Sequence, residues 1–238
     1  MMKLRHFPML IIMALYAIST VMGQSNDSEM SIEESYLQEA LELMIIRETS
    51  RADTRDQKMI ALEYIGNALE RGSTNDELRS TLEYLSLEGT QNRTLQGGRL
   101  MNNFPDVRRQ AAKYLGVVGT KEAKDTLVKI CLSENEPMVL QEVVKSLGTI
   151  GMNDNNDTIN AVVWVATRSL NSNAPSDLLA FTAVDTLDKL ARKFRTSDPN
   201  AIQLLIRISE GPYVNAVKEQ ARQVLLNMRR YATQQQKS

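Results

Sequence analysis

The chain has 238 residues, of which 42% are hydrophobic and 5% aromatic, and its formal net charge is −1. This length and core content suit one soluble domain. A near-neutral balance gives no electrostatic argument for nucleic-acid binding, which ordinarily requires a basic patch, and a single cysteine, Cys131, excludes an intrachain disulfide and a cysteine metal cluster.

Residues 1–23 have the pattern of a secretory signal peptide. Lys3 and Arg5 supply a positive start, residues 9–18 form an apolar run that Tyr16 alone interrupts, and small or apolar residues precede Gln24. The run is short for a membrane span, although the same pattern fits an uncleaved anchor. The sequence therefore predicts export, to the periplasm or as a secreted protein, and a flexible segment at residues 24–30.

Three amphipathic helices are predicted before residue 89, because apolar residues recur there at helical spacing in three segments. Capping-box pairs mark their starts: Ser31 with Glu34, Thr54 with Gln57, and Thr74 with Glu77. The segment 89–105 contains Gly97-Gly98 and has no periodicity. We predict a long exposed loop there, either a carrier of binding contacts or an insertion of no consequence. No β-strand pattern is found.

An internal repeat dominates the rest of the chain. Residues 107–119, VRRQAAKYLGVVG, return 32 residues later at 139–151 as VLQEVVKSLGTIG. A helical unit that recurs in this way buries its apolar face against the next copy, which predicts a stacked solenoid. Weaker copies at 57–70, 179–191 and 217–228 extend it to about four helix pairs with a helix at each end. The predicted solenoid domain spans residues 31–232, and a disordered tail is predicted at 233–238.

The clearest copy resembles the HEAT-like repeats first described in phycobilisome lyases. The residues that carry the resemblance are Asp106, Val107, Arg108, Ala111, Ala112, Leu115, Gly116, Gly119, Ala123, Leu127 and Val128. It implies an all-α fold, a right-handed α-solenoid of HEAT-like helix pairs, in which the second helices line the concave surface. In the family the first-helix arginine often pairs with an aspartate of a neighbouring turn. Arg108 matches that arginine, whereas Leu140 and Phe181 stand at the equivalent places.

Catalytic chemistry finds little support. The single histidine is His6, inside the predicted signal peptide, so the rest of the chain has no imidazole for acid–base catalysis or metal binding. Asp154 and Asp157 can bind a divalent ion or act as acid and base, but turn and N-cap chemistry is the preferred interpretation. Cys131 is predicted to be a small core residue rather than a redox site. We therefore expect no enzymatic activity, no cofactor and no metal.

The second helices carry the main functional hypothesis. Val128, Trp164 and Ile206 take equivalent places, each one residue after a predicted core position: Leu127, Val163 and Leu205. Val162 and Val165 add apolar residues around Trp164. An exposed apolar patch with a tryptophan is a candidate partner site, to which Arg108 is added from the first helix. The alternative is that these side chains fill the seam between adjacent pairs.

The sequence thus predicts a non-enzymatic scaffold or adaptor of the cell envelope. It would bind a protein partner on the concave or loop face of the repeat stack, without nucleic acid and without a membrane span in the mature chain. Two alternatives stay open. One is an accessory subunit similar to the phycobilisome lyases that attach bilins, and the other is a structural spacer without a specific ligand.

Overall fold

The computed structural model describes residues 32–235, without the side chains of residues 32, 35 and 232–235. The predicted signal peptide, the segment 24–30 and the predicted cap at Ser31 lie outside these residues. The described chain forms ten α-helices, one 3-10 turn and one short hairpin, which confirms the predicted all-α solenoid.

The helices follow one another with short connections. In chain order they are α1 (Ile32–Arg51), α2 (Arg55–Glu70), α3 (Asp76–Ser86), α4 (Pro105–Val118), α5 (Lys121–Ser133), α6 (Pro137–Ile150), α7 (Asp157–Leu170), α8 (Asp177–Phe194), α9 (Pro199–Glu210) and α10 (Asn215–Gln235), with β1 (Leu95–Gln96) and β2 (Arg99–Leu100) between α3 and α4 and the 3-10 turn (Asp154–Asn156) before α7.

The chain divides into two compact units, Met1–Leu41 and Glu42–Ser238, and the described part of the first is the opening half of α1. The second unit contains two layers of helices. The first helices α2, α4, α6, α8 and α10 pack each against the next, and α3, α5, α7 and α9 do the same beside them. Four helix pairs and a closing helix therefore stand where the repeat predicts them.

Helix starts are set by side chains that accept main-chain hydrogen bonds. Thr54 caps α2 as predicted, because its hydroxyl oxygen accepts from the N–H of Gln57. The predicted cap at Thr74 is wrong: the amide oxygen of Asn75 accepts from the N–H of Leu78 over 2.9 Å, so α3 begins one residue later. The last helix reaches Gln235, and its end therefore lies within the segment 233–238 for which the sequence predicts a tail.

The Leu-Gly-x-x-Gly tail of the repeat has two separate structural roles. Its second glycine, Gly119 or Gly151, ends the helix in the left-handed conformation, with φ of 68° and 61°. Its first glycine lies where successive first helices approach most closely. A Cβ on Gly116 would lie 2.6 Å from Oγ of Ser146, and one on Gly148 would lie 2.8 Å from Oγ1 of Thr186. Both glycines therefore allow α4, α6 and α8 to pack tightly.

The repeated apolar residues form the core. Ala111, Ala112, Leu115 and their counterparts in α6 are fully buried. Cys131 is fully buried as well, and burial raises the pKa of its thiol to about 12. The prediction that Cys131 is a small core residue is confirmed.

The long connection between α3 and α4 differs from its prediction. β1 and β2 pair antiparallel, with Leu95 opposite Leu100, and Gly97 and Gly98 form the turn with φ of 56° and 80°. The expectation of a chain without strands is wrong here. Two-residue strands are too short to show alternation, and the Gly-Gly dipeptide was the available signal for a hairpin.

Candidate functional site

The structure divides the predicted site residues into an exposed group and a buried group. Trp164 on α7 is 53% exposed and Ile206 on α9 is 43% exposed, whereas Val128 on α5 is half-buried. Val162 and Val165 are fully buried. The expectation that these two valines extend an exposed patch around Trp164 is therefore wrong, because successive residues of a helix point about 100° apart.

Trp164 also has a different register from the one the sequence alignment predicts. Leu127 of α5 and Leu205 of α9 are fully buried, and their counterpart on α7 is Val162 rather than the half-buried Val163. With this shift of one residue, the buried positions of the three helices superimpose in sequence. Residues 161–166 are all apolar, so no polar residue fixed the register in advance.

After the shift, Trp164 corresponds to Lys129 of α5 and Arg207 of α9. These helices pack on either side of α7, and axes of packed helices lie about 8–10 Å apart. The shifted register therefore places a cation at the position equivalent to Trp164 on each neighbouring helix. We call the exposed band the second-helix strip, and its residues are Val128, Lys129, Val163, Trp164, Ile206 and Arg207.

The positive charges of the second-helix strip are not paired with carboxylates among the described residues. Arg207 Nη2 donates to the neutral amide oxygen of Asn171 over 2.6 Å. Asp125, one turn before Lys129, is already engaged by Lys121 and Lys124. The strip therefore combines an aromatic surface with available positive charge, which suits an apolar side chain next to a carboxylate.

Arg108 is enclosed and forms a structural ion pair. Its Nε donates to Oε2 of Glu134 over 2.6 Å, and both side chains are 2% exposed. Glu134 Oε1 accepts from the main-chain N–H groups of Asn135 and Glu136, which lead into α6. The pair ties α4 to this turn, and so enclosed a side chain offers no surface to a partner, contrary to its predicted place in the binding site.

A second buried pair escaped the sequence analysis. Lys58 Nζ lies 2.9 Å from Oε1 of Glu88, with both side chains almost fully buried, and it also donates to the carbonyl oxygen of Ser50 over 3.0 Å. Lys58 is the fourth residue of α2, as Arg108 is the fourth of α4. A cation at the same helix position was the signal that could have found it.

The polar ladder stops after these two pairs. The fourth residue of α6 is Leu140, as predicted from the resemblance. In α8 the fourth residue is Ala180, which is buried, and not Phe181, which is 44% exposed. At the equivalent positions of α6 and α8 the residues are therefore apolar core.

The acidic turn before α7 binds a buried lysine. Lys124 is 1% exposed at its side chain, and its Nζ lies 2.5 Å from Asp157, 2.7 Å from Asp125 and 3.2 Å from Asp154. Burial lowers the pKa of Lys124, but hydrogen bonds to the three aspartates outweigh it and raise the pKa. The three carboxylates therefore have a structural role: they bind an ammonium group that joins α5 to the start of α7.

Two cavities lie away from the second-helix strip. One of about 390 Å³ lies between α2 and α4, and its lining includes Met59, Ile60 and Tyr114. The other, of about 320 Å³, lies between the hairpin connection and the turn after α5. No residue of the second-helix strip lines either of them.

Several exposed apolar side chains missed by the sequence analysis lie where the chain crosses from one pair to the next. They are on the hairpin, at the end of α5, at the starts of α6 and α8, and just before α10. The residues are Leu95, Met101, Leu132, Met138, Leu178, Phe181 and Val214. Apolar residues at the second position of α6 and α8 were a signal for this edge, since a helix start faces solvent on most sides.

One comparison with known proteins supports the repeat assignment. Residues 99–169 match a family model described as HEAT repeats. The match covers α4–α7, and thus the two clearest repeat copies and Trp164. No curated protein is significantly similar to the chain. The match and the layered helices agree on a HEAT-like repeat protein, a class that commonly mediates protein–protein interaction.

Among residues 32–235, no helix combines the length and the apolar character needed to cross a membrane.

Proposed function

We propose that the protein is a non-enzymatic interaction module of the cell envelope, a scaffold or adaptor that holds a protein partner on the second-helix strip. The observation that carries the proposal is the exposure of Trp164 on α7, a helix with neighbours on both sides. Large aromatic residues that remain half exposed on a rigid surface are favoured anchors of protein interfaces. Helix packing on both sides of α7 holds the anchor in place before binding, which reduces the entropy cost of association.

The chemistry of the chain favours binding over catalysis. After His6 the sequence contains no imidazole, and the only thiol is buried with a raised pKa. A thiol held in its neutral form is a poor nucleophile. The residues that remain at the second-helix strip are apolar or cationic, which suits recognition.

A variant pair tests the strip. Trp164→Ser should abolish partner binding while lowering stability little, because about half of the side chain is in solvent. Phe194→Ser is the matched control, since Phe194 is 40% exposed at the end of α8. A photo-crosslinking residue at exposed Asn160, one turn before Trp164, reports contact in intact cells.

The expected result is one discrete, saturable crosslinked product that persists in the Phe194→Ser background and disappears with Trp164→Ser. Mass spectrometry of that product identifies the partner. A large loss of stability for Trp164→Ser with an unchanged crosslink would show instead that the indole fills the seam between helix pairs.

The envelope location is proposed from the signal-peptide pattern of residues 1–23. The mature protein should begin near Gln24 and be found in the periplasmic fraction or in the medium. N-terminal sequencing of the natural protein and cell fractionation check this. A chain that retains residue 1 and stays in the cytoplasm contradicts the location, although the proposed binding surface would stand.

A further inference from the structure

The connection between α3 and α4 is much longer than the other crossings between helix pairs. It spans residues 87–104, whereas the later crossings span only 134–136, 171–176 and 211–214. Long connections within a compact repeat domain are usually functional, and insertions between repeats often carry binding contacts. The hairpin of β1 and β2 shows that this connection has a defined structure.

Buried polar groups hold the base of the hairpin. The side chain of Asn102 donates to the carbonyl oxygen of Asn92 over 2.7 Å and accepts from the N–H of Thr94 over 2.9 Å. Arg108 Nη1 donates to Oδ1 of Asn103 over 3.0 Å and to the carbonyl oxygen of Glu88 over 3.3 Å. Burying charged groups is costly unless they are well paired. Here the buried side chains are hydrogen-bonded to the connection and hold its two ends together.

Gly89 shows how closely the two ends of the connection approach. Its φ is 73°, and a Cβ at this position would lie 2.4 Å from the carbonyl oxygen of Asn102. Only glycine fits such a left-handed position against the backbone of another segment. The hairpin is therefore held in one orientation before any partner arrives.

The hairpin presents a basic and apolar surface. Arg93 and Arg99 are exposed and form no ion pair among the described residues, and the sequence contains no Asp or Glu between Glu88 and Asp106. Leu95 is 59% exposed and Met101 is 50% exposed. Two unpaired guanidinium groups beside two uncovered apolar side chains complement carboxylates that alternate with apolar residues.

A cleft adjoins this surface. It has a volume of about 320 Å³, with Thr90, Arg93 and Leu100 on the hairpin side and Ser133, Asn135 and Glu136 on the side of the next turn. Hydroxyl and amide groups of this kind can hydrogen-bond the main chain of an extended segment. Because the site is concave, it fits a polypeptide better than the flat surface of a membrane.

We propose that the hairpin and its cleft bind an acidic, extended segment of a protein partner. Carboxylates of the segment pair with Arg93 and Arg99, and an apolar residue between them covers Leu95 and Met101. Glu136 lines the opposite wall, so the carboxylates of the ligand lie against the hairpin and not against the turn. The inference rests on the proposed function as an interaction module and names the chemistry of its partner.

Selection from a phage-displayed library of random 12-residue peptides tests the proposal on the full chain. The expected winners carry two or more Asp or Glu residues around an aliphatic or aromatic one. A synthetic winner should bind at least ten-fold more weakly to R93Q/R99Q and lose affinity as salt rises. Its Asn/Gln analogue should bind wild type equally weakly.

The matched control is R109Q/R230Q, which removes the same charge from two exposed arginines elsewhere and should bind the winner like wild type. Thermal melts of both double variants should coincide with wild type, since all four arginines are exposed. Equal loss of binding in both variants would mean that only net charge matters, which overturns the assignment to the hairpin.

Two further outcomes separate this inference from the proposed function. Peptides that bind R93Q/R99Q normally but are lost with Trp164→Ser would overturn the hairpin site and leave the interaction module standing. Failure to enrich any peptide, together with binding of phosphatidylserine vesicles by wild type that R93Q/R99Q loses, would overturn the peptide site and assign the hairpin to anionic lipid, and the Trp164 crosslink would still test the interaction module.

Discussion

At the scale of single residues, one buried ammonium group organises the junction between two helix pairs. Lys124 of α5 is surrounded by Asp125, Asp154 and Asp157, and Asp157 also accepts from the N–H of Thr158 at the start of α7. A buried charge that lost its partners would be strongly destabilising. The acidic turn is therefore a structural device, and its position fixes where α7 begins.

The same group leads to a prediction about acid. Hydrogen bonds from Lys121 and Lys124 lower the pKa of Asp125 below its ordinary value of 3.8. The stabilisation is therefore complete above pH 3.8 and is lost as the pH falls through the lowered pKa. In urea titrations, Asp125→Asn should lose roughly 1 kcal/mol or less at pH 7, because Asp125 is partly exposed, and should approach wild type near pH 2.

Asp185→Asn serves as the comparison, since Asp185 forms an exposed pair with Lys189 in α8 and touches no buried charge. Its unfolding midpoint should differ from wild type by a similar small amount or less at pH 7. If the gap between Asp125→Asn and wild type widened toward acid, the sign of the proposed linkage would be wrong.

At the scale of helices, close contacts along the first-helix layer repeat from pair to pair. Gly116 faces Ser146 and Gly148 faces Thr186, and in each contact the facing residue precedes a buried leucine of the next first helix. Thr186 also donates from its hydroxyl to the carbonyl oxygen of Val144 over 3.1 Å, a hydrogen bond between α8 and α6. Close packing against the next first helix therefore explains why both copies have glycine at this position.

Gly116→Ala is expected to destabilise the protein by roughly 1–3 kcal/mol because the new methyl group overlaps Ser146. The sign is informative, since a glycine-to-alanine change inside a helix ordinarily stabilises it by about 1 kcal/mol. Chemical unfolding of Gly116→Ala, Ser146→Gly and the double variant gives the coupling energy. Single-variant effects that simply add would show that α4 and α6 do not meet at this point.

The elements show which features the sequence could predict. Helix existence and the core faces of α4 and α5 were predictable, because each depends on local periodicity. The register of α7 was not, since residues 161–166 are uniformly apolar. The pair of Lys58 with Glu88 joins residues far apart in the chain, and the two-residue strands of the hairpin are too short to show alternation. Trp164 was identified as exposed although the alignment with Val128 and Ile206 placed it one residue out of register.

At the scale of the whole second unit, the two layers imply that stability is a sum over neighbouring helix pairs. Helices α4 to α7 have neighbours on both sides, whereas α10 packs only against α8 and α9. Repeat arrays of this kind open from their ends. The second-helix strip lies on α5, α7 and α9, so its centre at Trp164 belongs to the part that should remain folded longest.

Hydrogen exchange of the intact chain, read by mass spectrometry, should therefore be slowest in α4–α7 and faster in α10. Met228→Ala leaves a cavity at a buried position of α10 and should lower the free energy of unfolding by roughly 2–5 kcal/mol. Exchange should then become faster in α8–α10 and stay unchanged in α2–α5. Leu147→Ala in the middle of the stack removes a fully buried side chain and should speed exchange on both sides of α6. Equal acceleration of every helix by Met228→Ala would show that the unit unfolds in a single cooperative step, with no order of opening from its end.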